Sequence, residues 1–201
     1  MRSTIIFAFV VLLAQGCTVI KAREPLYDRT KESTFNGGFA GVWANEEFRW
    51  TVVAGDPYGA VITIEMVKPA EESEPETFPA DLVRIGSWRY MFPVDPTTSP
   101  EAAALQSAHD LPWCRLKREW DILRVSLVNP VALSQQLESG IAPFPFETEP
   151  RGARILEDGT QVLTPETVTI NASARDIRRF LERNENDRPL FSPAISLKRE
   201  R

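Results

Sequence analysis

His109 stands directly before Asp110, and an imidazole beside a carboxylate is the smallest arrangement that can move a proton near neutral pH. It is the one histidine in 201 residues. No nucleophile motif or glycine-rich phosphate loop accompanies it, so an envelope hydrolase would rest on His109 or Asp110 with an unspecified serine. The two cysteines, Cys17 and Cys114, add no spaced set of metal ligands, and neither a metal nor a cofactor is expected. Cys114 lies in a strand pattern after Trp113 and reads as a small buried hydrophobe. A different chemistry is offered by Trp43, Trp50, Trp88, Trp113 and Trp120, whose indoles either line an apolar cavity or fill a core. Trp43, Trp50 and Trp88 are the candidate pocket residues. Phe144 and Phe146, framed by Pro143 and Pro145, are the candidates for its mouth.

The elements that position these residues are constrained by composition. A content of 43% hydrophobic and 25% charged residues fits one globular domain with a core of its own. Sixteen prolines and ten glycines imply many turns between short elements and exclude a long helical bundle. The net charge of −5 excludes general nucleic-acid binding, which depends on neutralising phosphates. That charge is uneven: residues 172–201 carry a net +3, with Arg175, Arg179 and Arg183 at helical spacing. Such a ridge suits either a solvated helix face or anionic lipid headgroups.

At the N-terminus, Arg2 precedes an unbroken apolar run, residues 5–14, followed by Gln15-Gly16-Cys17. The run is too short to span a bilayer, which takes about 20 helical residues, and has the form of a secretory signal. Leu13-Ala14-Gln15-Gly16-Cys17 resembles the lipobox of bacterial lipoproteins, with Ala14 and Gln15 departing from the preferred leucine and small residue. The resemblance implies cleavage after Gly16 and a diacylglyceryl thioether on Cys17, followed by N-acylation with a chain such as palmitate. It also implies the outer membrane facing the periplasm, because Thr18 after the lipidated cysteine is not acidic. The alternative is plain secretion with cleavage near Ala22. Two or three acyl chains hold a protein stably without a spanning helix. The expected organisation is therefore a signal peptide at 1–16, a lipidated cysteine and tether at 17–38, and one β-rich domain at 39–201.

Period-two alternation dominates the domain. Residues 48–53 and 60–68 predict a hairpin about Asp56-Pro57-Tyr58-Gly59, and Glu71, Glu72, Glu74 and Glu76 an acidic loop. Strands follow at 78–85, where Pro79 suggests a sheet edge, and at 88–92. Residues 93–112 read as an irregular stretch with a helical turn at 100–106. Two more strands are expected at 113–119 and 122–128. Asn129-Pro130 predicts a capped helix ending at Gly140. Residues 141–153 read as irregular, 154–163 as a hairpin about Asp158-Gly159, and 167–170 as a strand. A second helix starts at Ser173, and 194–199 is the last strand.

Nine or ten short strands with two helices predict an antiparallel barrel or strongly curved sheet, since closure removes exposed edges. The alternative is an open α+β sheet with both helices on one face. Gly41-Val42-Trp43 on the first domain strand is similar to the G-x-W signature of lipocalin-like barrels. Together with the Asn129-Pro130 helix start, Val168-Thr169-Ile170 and a final basic strand, it makes residues 39–199 resemble uncharacterised calycin-like lipoproteins. That resemblance implies that Trp43 plugs one barrel end, and it implies no activity. The expected function is a membrane-anchored, non-enzymatic domain binding a lipophilic ligand or an envelope partner. The alternatives are a structural or assembly lipoprotein and the hydrolase above.

Overall fold

The computed structural model describes residues 19–32, 35, 37–55, 59–67, 74–95, 108–150, 152–155, 161–164 and 166–200. Eight strands close into an antiparallel barrel: β2 (Gly41–Ala44), β3 (Phe48–Ala54), β4 (Ala60–Met66), β5 (Glu76–Ile85), β6 (Trp88–Pro93), β7 (Cys114–Glu119), β8 (Ile122–Leu127) and β13 (Ile195–Arg199). Each of the first seven pairs with its successor, and β13 joins β8 back to β2. The antiparallel barrel expected from the strand pattern is thus present, in the calycin-like form that the resemblance implied, and the open-sheet alternative is not.

Outside the barrel lie β1 (Val19–Ala22), β9 (Phe146–Glu149) and β12 (Thr167–Ile170), which form a small sheet in the order β1-β12-β9. A separate hairpin joins β10 (Gly152–Ile155) to β11 (Gln161–Thr164). Its turn about Asp158-Gly159 lies outside the described residues, as do Asp56-Pro57-Tyr58 and the helical turn expected at 100–106. Among the described residues the two helices longer than one turn are α1 (Pro130–Glu138) and α2 (Ala174–Arg183). Both start as their sequences dictate: the Asn129 side chain accepts from the Ala132 N–H, and the Ser173 hydroxyl from the Asp176 N–H. Gly140 takes φ +73 just beyond α1, the left-handed turn that a glycine permits after a helix.

Two apolar clusters result. One fills the barrel with inward side chains, among them Trp43, Trp50, Ile62, Leu82, Met91, Leu116 and Leu123, all buried. The other lies between the outer barrel wall (Val83, Tyr90, Phe92) and a second layer of β1, β12, α1 and α2. The wall from β5 to β8 is therefore buried on both faces. This explains why β5 and β6 read as continuous apolar runs rather than clean alternation.

Two expectations need correction. Pro79 is not at a sheet edge: it pairs with Val61 across β4, and its carbonyl accepts from Val94. Its missing N–H faces the point where β6 ends, so only a terminal ladder bond is lost. The tether expected at 17–38 is also not a tether from Val19 onward. β1 pairs in parallel with β12, Leu26 and Tyr27 are buried, and Arg29–Glu32 forms one helical turn. The polar composition hid this because the segment is held by polar side chains. Asp81, fully buried on the outer wall of β5, accepts from the Tyr27 hydroxyl (2.8 Å) and pairs with the Arg29 guanidinium (3.0 Å).

Replacing Asp81 by alanine removes the buried carboxylate shared by the Arg29 guanidinium and the Tyr27 hydroxyl, and should cost about 3–5 kcal/mol in urea unfolding. Hydrogen exchange should quicken first in residues 19–32; uniform loss of protection across the barrel would contradict this assignment.

Candidate functional site

The strand connections define two barrel ends. The lower end carries the β5–β6 and β7–β8 turns and a 3-10 turn, Gly37–Phe39, that precedes β2. It is plugged. Trp43, fully buried, closes it by donating its indole N–H to the Phe39 carbonyl at 2.9 Å. The Arg199 guanidinium lies 5.5 Å from the Trp43 ring centroid and donates to the Ala40 carbonyl at 3.0 Å. Gly41 is required here for two reasons: it takes φ +132, and a Cβ would stand 3.3 Å from that guanidinium.

The upper end is different in kind. Phe48 opens β3, Leu127 closes β8, Ile195 opens β13, Trp113 immediately precedes β7, and Ile64 and Phe78 lie near the upper ends of β4 and β5. All six are half-buried against the interior cluster. The Phe78 and Trp113 rings meet at 5.6 Å in a tilted pair. The interior cluster they pack against includes small side chains at Ala60, Ala80 and Cys114 as well as Trp50. Burial pushes the Cys114 thiol well up, so it is an inert apolar group here. An inward-facing apolar rim of this sort can hold a hydrocarbon or aromatic group by area burial, with no reacting group beside it among the residues named. Connections 68–73 and 96–107 join strands at this end and lie outside the described residues.

The five pocket candidates do not come together. Trp43 and Trp50 are cross-strand partners inside the barrel. Trp88 packs against the outer cluster, 4.2 Å beneath the Arg115 guanidinium, which is also 3.6 Å from the Phe191 ring. Burial lowers the Arg115 pKa, and raises that of the neighbouring Tyr90 to about 12. Phe144 meets Phe180 of α2 at 5.4 Å, and Phe146 joins the same outer cluster from β9. Phe144 and Phe146 thus dock the second layer on the barrel rather than lining its mouth. The mouth residues missed by the sequence reading, Phe48, Ile64, Phe78, Leu127 and Ile195, carried one signal: inward parity at a strand end. The sequence could not say which end stays open.

The proton-transfer candidates serve the second layer. His109 Nδ1 bonds the Ala22 carbonyl at 2.9 Å, and the Asp110 backbone pairs with that of Lys21 in an isolated antiparallel β-bridge, so both hold β1. Burial raises the Asp110 pKa, opposed in part by Lys21 and His109. Among the described residues no group of three or more His, Cys, Asp or Glu could hold a metal ion, and no helix is long and apolar enough to cross a membrane. The chain matches no protein-family model, curated protein or solved structure.

A carboxyl whose folded pKa lies above its unfolded value disfavours folding once it ionises. Asp110→Asn should therefore stabilise the protein above the raised folded pKa. That gain should fade as pH falls toward 3.8, the ordinary value of an aspartate. Denaturation midpoints at several pH values check this; a gain independent of pH would contradict it.

Proposed function

We propose that this chain is a lipid-anchored protein of a bacterial envelope whose barrel binds a lipophilic molecule at its upper mouth without catalysing a reaction. The inward-facing apolar rim of Phe48, Ile64, Phe78, Trp113, Leu127 and Ile195, left partly exposed where the interior cluster they pack against is buried, carries this reading. A protein that used its barrel for packing alone would gain from burying or replacing these side chains. The lower end, closed by Trp43 and Arg199, leaves the upper mouth as the way in.

The anchor follows from the lipobox at Cys17 and has a geometric consequence. Val19 already belongs to β1, so an acylated Cys17 stands within about 7 Å of extended chain from the folded domain. The domain would rest against the lipid surface rather than hang from a leash.

Cys17→Ser should move the protein from the membrane to the soluble fraction and abolish labelling by an acyl precursor. Unchanged fractionation and labelling would falsify lipidation. For the mouth, the membrane-purified protein should yield a co-extracted apolar compound by mass spectrometry at near-stoichiometric amount. Phe78→Asp should lose it while the thermal unfolding midpoint moves only a few degrees. An extract with no compound at such amounts would sink the ligand reading.

A further inference from the structure

The lower end has a second property. Inward parity on β5, β6, β7 and β13 continues past the last buried apolar residue and ends in each case on arginine. Leu82 is followed by Arg84, Met91 preceded by Arg89, Leu116 followed by Arg118, and Leu197 followed by Arg199. Arg84 and Arg89 are direct cross-strand partners, Arg89 pairs with Leu116, and Arg199 pairs with Trp43. Four guanidinium-bearing positions thus ring one barrel mouth. Arg89 lies 5.5 Å from the Phe39 ring centroid and Arg199 a like distance from Trp43, so the ring surrounds the plug.

None of the four forms an ion pair among the described residues. Their bonds go to backbone carbonyls: Arg84 to Gly86, Arg118 to Trp120, Arg199 to Ala40. Of the acids at this end, Glu119 pairs with Lys117 and Arg124, Glu200 with Arg49, and Glu185 bonds Ser87; Asp121 is exposed in the turn beside Trp120, and Glu182 packs against Gly86 of the β5–β6 turn without an ion pair among the described residues. Repulsion from Arg84 adds to burial in lowering the Arg89 pKa, which is the cost of gathering like charges without a counter-ion.

Trp120 occupies the two-residue turn between β7 and β8 at the same end. It is 91% exposed, and it is the one non-glycine with positive φ (58°) among the described residues. A glycine would take that conformation without strain, as Gly86 does in the β5–β6 turn. The fold gains nothing from an indole placed there. An exposed tryptophan beside uncompensated arginines is the side-chain combination suited to a bilayer interface, where the ring sits at headgroup depth and guanidinium groups meet phosphate.

We propose that the lower barrel mouth docks on anionic phospholipid headgroups, with Arg84, Arg89, Arg118 and Arg199 binding phosphate and Trp120 entering the interface. A ring of forked donors matches phosphate oxygens better than it matches a flat field of dispersed charge. The surface needs no lipid on Cys17, and so stands or falls apart from the anchor.

The test uses the full chain carrying Cys17→Ser, so that no acyl anchor delivers it, with vesicles whose acyl chains carry bromine, a contact quencher of tryptophan. Phosphatidylglycerol vesicles should quench a component of the emission that Trp120→Phe removes. Phosphatidylcholine vesicles should not, and about 1 M salt, which screens charges beyond about 3 Å, should release it. Arg84→Gln with Arg118→Gln, both exposed positions, should lower the docked-to-undocked ratio about 25-fold, about fivefold for each charge removed. Unchanged urea midpoints certify the folds, and Trp120→Gly gives a second variant that relieves turn strain while losing the contact. Equal quenching in Trp120→Phe, equal quenching by phosphatidylcholine, or no effect of the two arginine changes would each overturn the proposal. Release by millimolar inorganic phosphate at constant ionic strength would also overturn it, by assigning the ring to a free anion.

Discussion

Closure of the barrel depends on β13, the strand that bonds β8 on one side and β2 on the other. Its pairing with β2 covers only Lys198↔Ala44 and Arg199↔Trp43, against four residue pairs with β8. So short a seam leaves much of the work to side chains. Arg199 lies over Trp43, bonds Ala40, and fits only because Gly41 lacks a Cβ. A backbone bond from the Glu200 N–H to the Val42 carbonyl extends this seam by one residue, and one from the Arg199 N–H to the Asp121 carbonyl extends the pairing with β8. The lower plug and the joining of the chain's first and last barrel strands are therefore one interaction. Without it the sheet would have two free edges, each a template for unwanted pairing.

A closed barrel still leaves its outer wall to be covered, and here the chain spends β1, β9, β12 and both helices. They bury the β5–β8 side, where Tyr27 meets Phe92 at 4.7 Å and Tyr90 meets Phe191 at 6.3 Å. Two charges are buried in this layer on different terms. Asp81 is matched by Arg29 and a phenol. Arg115 is instead sandwiched between Trp88 and Phe191 and donates to the Glu185 carbonyl at 2.6 Å, so aromatic faces replace a carboxylate as its partner. Both contacts pin long connections to the wall: the N-terminal segment in one case and the 184–191 segment in the other.

The two barrel ends consequently face their surroundings with opposite chemistry. Above, apolar side chains are half-exposed and point inward; below, the interior ends on arginines around an aromatic plug. The separation follows from the alternation itself. Each inward row must end somewhere, and the residue ending it belongs to the core on one side and to solvent on the other.

The local pattern was legible in the amino-acid sequence. Period-two runs located the barrel strands, and Asn129-Pro130 and Ser173 marked the helix starts, because each depends on residues a few positions apart. β9 was hidden, since residues 146–149 read Phe-Glu-Thr-Glu and pair with β12 at long range. The inclusion of residues 19–32 in the domain was hidden for the same reason, as was the division of Trp43 and Trp50 from Trp88, Phe144 and Phe146 between two cores. Parity says which residues share a face, but not which face is covered twice or which end of a row is closed. Those depend on register and closure among strands up to 150 or more residues apart, such as Trp43 and Arg199. Tertiary structure alone decided that the arginines meet in a ring and that an apolar mouth lies opposite them.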